Sequence, residues 1–66
     1  MNHEQINKRL STAIKLIALA EEEMKGEIDW EDTEAVDLAY GLGEAGGRLL
    51  KIRHEIYKKY NKEEQP

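Results

Sequence analysis

Leu38-Ala39-Tyr40-Gly41-Leu42-Gly43-Glu44-Ala45-Gly46-Gly47-Arg48-Leu49-Leu50 is the stretch on which the fold turns. Each glycine inside a helix costs roughly 1 kcal/mol against alanine, so Gly41, Gly43, Gly46 and Gly47 together cost about 4 kcal/mol, enough to kink or break an isolated helix. Two apolar strings nonetheless run straight through them. Leu38, Leu42, Ala45, Leu49, Ile52 and Ile56 form one heptad seam; Val36, Tyr40, Gly43, Gly47, Leu50, His54 and Tyr57 form another, offset by two residues. Two residues are about 200° of helix, so these seams lie on nearly opposite faces. Ala35, Ala39, Gly43 and Gly47 add a ridge of small side chains that permits close backbone approach. The pattern predicts a second helix that begins between residues 30 and 34 and passes through the glycines, continuous or kinked. A break at Gly46-Gly47 giving a third helix is the alternative.

Upstream, Ile6, Leu10, Ala13, Ile17, Ala20 and Met24 predict a first helix with its own heptad seam, widened by Ile14 on one side and by Leu16 and Leu19 on the other. Gly26 is the expected C-terminal stop, with Lys25 at the negative end of the dipole. In Glu27-Ile28-Asp29-Trp30-Glu31-Asp32-Thr33 any of Asp29, Asp32 or Thr33 can cap the next helix. Ile28 and Trp30 are expected to fold over the bundle end as an apolar plug. The fold class is therefore all-α, an antiparallel helical hairpin over residues 1–60 followed by a polar tail at 61–66. One partner helix covers one seam, and the other calls for a second copy of the chain, as a homo-dimer or higher homo-oligomer.

Composition supports self-association. A chain of 66 residues buries only about 60% of the surface it exposes when unfolded. Chains this small lean on disulfides, a metal or oligomerisation. With no cysteine and only His3 and His54, disulfides and a closed zinc site are excluded, and no metal or other cofactor is expected. The absence of cysteine suits a reducing cytoplasm. Ala13 to Ala20, the most apolar stretch, contains Lys15 and is too short for a membrane span. The net charge of −4 argues against direct nucleic-acid binding. Charge is also segregated: residues 21–37 hold nine carboxylates and one lysine, net −8, whereas 1–20 and 38–66 each sum to +2. A hairpin built this way is acidic at its turn. Its open end gathers Lys8, Arg9, Arg53, Lys58, Lys59 and Lys62, so two copies attract head to tail.

Gly41-Leu42-Gly43-Glu44-Ala45-Gly46 matches the dinucleotide-binding string letter for letter. That string needs a preceding strand, and Glu34 to Tyr40 reads as helix. A different anionic-ligand site is expected on the same helix. Gly43 and Gly47 open a groove, Tyr40 can stack on a base, Arg48 and Lys51 supply phosphate contacts, and His54 follows a turn later. The competing reading pairs Glu44, Arg48, Lys51 and Glu55 with one another along a solvated face. Ala39-Tyr40-Gly41, Glu44, Leu49-Leu50, Ile52 and Ile56, with Ile6-Asn7-Lys8 in the first helix, resemble the phage helical-hairpin sponges that sequester the cyclic nucleotide signals of CBASS and Thoeris immunity. The resemblance implies an oligomeric, anti-defence binding protein that holds its nucleotide without turning it over.

Two other functions are consistent with the residues. Glu34-Ala35-Val36-Asp37 resembles the ExxD helix of all-α nucleoside triphosphate pyrophosphatases of the MazG type, which implies magnesium-dependent hydrolysis. Those enzymes pair it with an upstream E-E-x-x-E, which Glu21-Glu22-Glu23-Met24-Lys25 does not reproduce. The acidic tip, through Glu27, Asp29, Trp30, Glu31, Asp32 and Glu34, also suits an inhibitor or adaptor that engages a basic host protein. With Ser11 the single serine and no cysteine, no nucleophilic triad can be assembled. The expectation is a non-enzymatic binding protein.

Overall fold

The computed structural model describes residues 2–60 and consists, over that range, of two helices packed antiparallel: α1 (His3–Glu27) and α2 (Thr33–Tyr60). The tail expected at 61–66, with Lys62, lies outside the described residues. α1 starts at Asn2, whose side-chain Oδ1 accepts the Gln5 N–H at 3.0 Å, leaving the helix one fewer orphan donor. α2 is one helix through all four of its glycines, so the third-helix alternative is not realised.

The turn corrects the expected role of Gly26. α1 runs past it to Glu27, and Ile28, in extended backbone, closes the helix by donating its N–H to the Met24 carbonyl at 2.9 Å. No described residue has positive φ. The reversal is made instead by two aspartates. Asp29 Oδ1 accepts the Glu31 N–H at 3.0 Å, and its carbonyl accepts the Asp32 N–H at 2.9 Å. Asp32 is the cap of α2: its Oδ1 accepts the Ala35 N–H at 3.3 Å and its carbonyl accepts the Val36 N–H at 3.0 Å. With carboxylates satisfying the free amides, the chain turns without a left-handed residue, and glycine loses its advantage. The expected plug is half realised. Ile28 is partly buried, whereas Trp30 stays 56% exposed.

The helix–helix seam also differs from both predicted ones. The residues of α2 that are partly or fully buried are Ala35, Val36, Ala39, Leu42, Gly43, Ala45, Gly46, Leu49, Arg53 and Ile56, of which Ala39, at 1% exposure, is fully buried. Leu42, Ala45, Leu49 and Ile56 come from the first predicted seam and Val36 and Gly43 from the second, but Ala39, Gly46 and Arg53, at the middle of the face, belong to neither. Neighbouring residues on a helix diverge by about 100°. Leu38 and Tyr40 therefore splay to either side of Ala39, as Ala45 and Gly47 do beside Gly46, and Ile52 and His54 beside Arg53. α1 lies between the two apolar strings rather than on one of them. Small residues there let it sit deep: Ile17 is in ordinary van der Waals contact with the Cβ position of Gly46, 3.7 Å away. Leu16, Leu38, Tyr40, Leu50, Ile52 and Tyr57 consequently remain exposed on the two flanks.

Two outcomes follow for urea unfolding at fixed protein concentration. Gly26→Ala, with nothing within 4 Å of the added carbon, should raise stability by about 0.5–1 kcal/mol. Asp32→Ala should lower it by about 0.5–2 kcal/mol, with Asp32→Asn close to wild type.

Candidate functional site

The flank carrying Gly43 and Gly47 is concave in two places. Midway along the hairpin, Ile14, Ile17 and Ala18 of α1 face Leu42, Gly43, Gly47 and Leu50 of α2 across a groove of about 250 Å³, with Glu21 at its edge. Glu21 is the notable neighbour. Its carboxylate lies so close to Gly43 that a Cβ there would meet Oε2 at 2.7 Å, and the same oxygen pairs with Lys25 Nζ at 3.1 Å. The groove is thus apolar with a carboxylate across it.

Toward the open end, Asn7 of α1 and Arg53, His54 and Tyr57 of α2 line a polar hollow of about 320 Å³. Arg53 occupies a core position of the heptad, and it can be there because Ser11 meets it: Arg53 Nη1 donates to the Ser11 hydroxyl oxygen at 2.9 Å. Ser11 in turn donates to the Asn7 main-chain carbonyl at 2.9 Å. The Asn7 side-chain Oδ1 is buried and has no hydrogen-bond partner. A buried acceptor left unpaired costs about 1–3 kcal/mol. The hollow therefore combines a cationic fork, an imidazole, a phenol ring and an acceptor that lacks a donor. At the extreme of this end the His3 ring stacks on Tyr60, centroids 5.4 Å apart, and Lys59 Nζ stands 5.5 Å from the Tyr60 ring.

The residues expected to bind a ligand are distributed over several surfaces. Gly43 and Gly47 share the apolar groove. His54 lines the polar hollow. Lys51 borders a third concavity, formed by Ile52, Ile56 and Tyr60. Tyr40 is 61% exposed on the glycine flank, and Arg48, one residue beyond Gly47, is exposed toward the back of α2. Asn7, Arg53 and Tyr57 had not been singled out as binding residues. The available signal was Ala39-Gly46-Arg53-Tyr60 at seven-residue intervals, and the polar pair Asn7 and Ser11 one turn apart beside Leu10. At the other end Glu27, Asp29, Glu31, Asp32 and Glu34 are all exposed around Trp30. Among the described residues no three His, Asp or Glu side chains are gathered closely enough to hold a metal ion, so the Glu34–Asp37 step finds no further ligand. No helix there is long and apolar enough to cross a membrane.

Replacing the unpaired amide with a side chain of similar shape should release its cost. Asn7→Leu is expected to raise the urea midpoint, by on the order of 1 kcal/mol in stability. Gly47→Ala should also stabilise, by about 1 kcal/mol, because its Cβ meets nothing within 4 Å. Gly43→Ala should gain less, since Glu21 must swing aside.

No protein-family model, curated protein or solved structure matches this chain, and its function is read from these residues and their geometry.

Proposed function

We propose that this chain is a non-enzymatic, cytoplasmic binding protein that works as a homo-oligomer and sequesters a small anionic, nucleotide-like ligand in the hollow between Asn7, Arg53, His54 and Tyr57. The observation that carries the reading is Arg53, held by the Ser11 hydroxyl, lining one hollow with His54 and Tyr57. A nucleotide answers these groups in turn. Phosphate oxygens accept from the remaining guanidinium N–H groups, and the base plane lies on Tyr57. The apolar groove next to it offers space but has the Glu21 carboxylate at its edge, which repels an anion. This moves the ligand toward the open end, away from Arg48 and Lys51, and keeps His54. The sponge-like role agrees with this chemistry, since capture needs no nucleophile.

A second reading has its own observation. Trp30 is 56% exposed in a turn whose neighbours Asp29, Glu31 and Asp32 are exposed carboxylates, a composition that suits an aromatic anchor for a basic partner.

The two readings separate experimentally. In calorimetric titration with a panel of linear and cyclic nucleotides, Arg53→Ala should weaken binding tenfold or more, because a charge-assisted contact is worth about 1.5–3 kcal/mol. Arg48→Ala and Lys51→Ala should change it little, and the bound nucleotide should be recovered unaltered. Loss of binding through Arg48 and Lys51 with Arg53 dispensable would return the site to the glycine ridge. Trp30 is the single tryptophan, so its fluorescence reports on the tip alone. A lysine-rich peptide that shifts that emission in wild type, and no longer binds once Glu31 and Glu34 are neutralised, would favour the adaptor reading.

A further inference from the structure

The flank opposite the hollow carries a charge pattern that repeats on both helices. In α1, Arg9, Leu16 and Glu23 follow one another at seven-residue intervals. In α2, Leu38, Ala45, Ile52 and Lys59 do the same, with Glu31 one further interval back in the turn. Both strings lie on one side of the hairpin. Ala18 and Gly47 share the groove of the other flank. Leu16 precedes Ile17, and Ala45 precedes Gly46, the two residues in contact at the centre, so both project to the side away from that groove. Leu38, Leu16 and Ile52 are 65%, 61% and 48% exposed, and Ile52 borders a hollow of about 380 Å³ with Ile56 and Tyr60. This flank is therefore apolar in the middle, acidic at the turn end and basic at the open end.

We infer that this flank is the self-association surface and that its occupant is a second copy of the chain, packed antiparallel about a two-fold axis near Ala45 and Leu16. The placement follows from the spacing. An axis through Ala45 sets Leu38 against the second copy's Ile52, and Glu31 against its Lys59. An axis through Leu16 sets Arg9 against the second copy's Glu23. Ala45 and Leu16 lie at nearly the same height in the hairpin, since Ile17 meets Gly46, so one axis satisfies both strings. Reversing one copy gives every charged end an opposite partner, whereas a parallel arrangement puts acid on acid. The second copy's Leu38 enters the hollow between Ile52 and Ile56. Ala45 at the axis lets the two α2 helices approach closely. The product is a four-helix bundle whose outer flanks keep both nucleotide hollows open. This inference rests on the self-association within the proposed function, not on the ligand.

The chain lacks cysteine, so single-cysteine variants report the geometry cleanly. Sedimentation at tens of micromolar should give at least twice 7.6 kDa. Under mild oxidation Ala45→Cys, at the axis, should form a covalent dimer in high yield, and Gly47→Cys, on the other flank, should not. Arg9→Glu and Glu23→Arg should each raise the dissociation constant tenfold or more at low salt, and the double variant should restore it. Both positions are exposed on α1, so circular dichroism should stay unchanged. A monomer at 7.6 kDa would overturn self-association itself. An oligomer cross-linked through Gly47→Cys and not through Ala45→Cys, or a double variant no better than the singles, would overturn this face and leave self-association standing.

Discussion

Two helices in one layer share a single line of contact, and the rest of this molecule follows from where that line falls. It falls on Ala39, Gly46 and Arg53, between two apolar strings. With one fully buried residue among those described, hydrophobic burial within the hairpin is far below what offsets roughly 1–2 kcal/mol of backbone entropy per ordered residue. Within one chain the core stays incomplete. Small residues along the line bring the helices together, but they leave the large side chains outside, on two flanks of different character.

The two flanks differ in chemistry. One has a carboxylate against glycine, a hydroxyl that holds a guanidinium, and an amide without a partner. The other exposes Leu16, Leu38 and Ile52 in its middle, with charge concentrated toward its extremities. The helix thus presents three sides: one inward to α1, and two outward that do not overlap. The glycines make this economical in space, because Gly43 gives room to Glu21, Gly46 to Ile17, and Gly47 to nothing within the chain. The small-residue ridge is therefore not one feature but several, each meeting a different neighbour.

Much of the fold was legible in the sequence because helical periodicity and charge segregation are strong signals. Two helices, their antiparallel pairing and Asp32 among the possible caps could all be read from spacing and residue type. The contact line could not. Heptad counting weighs large apolar residues, so it found the strings beginning at Leu38 and Val36 and passed over Ala39, Gly46 and Arg53, whose virtue is smallness or, for Arg53, a partner on the other helix. The polar hollow was hidden for the same reason. By residue type Arg53 is one more cation of a basic end; its place in the seam depends on Ser11, whose hydroxyl accepts from it. Gly26 shows the converse error: a residue able to end a helix did not, because Asp29 and Asp32 close the turn more effectively.

The turn of five residues between Glu27 and Thr33 has a kinetic consequence. Contacts beside it close short loops at small entropic cost, whereas His3 reaches Tyr60 only after most of the chain is ordered. Loop-closure entropy thus favours ordering from the acidic turn toward the open end, and fraying in the opposite direction. Asn7, Arg53, His54 and Tyr57 sit in the segment that zips last and unzips first. Any molecule held there acts as a clasp on the two helices, so its residence time and the breathing of the hairpin ends are set by the same opening event.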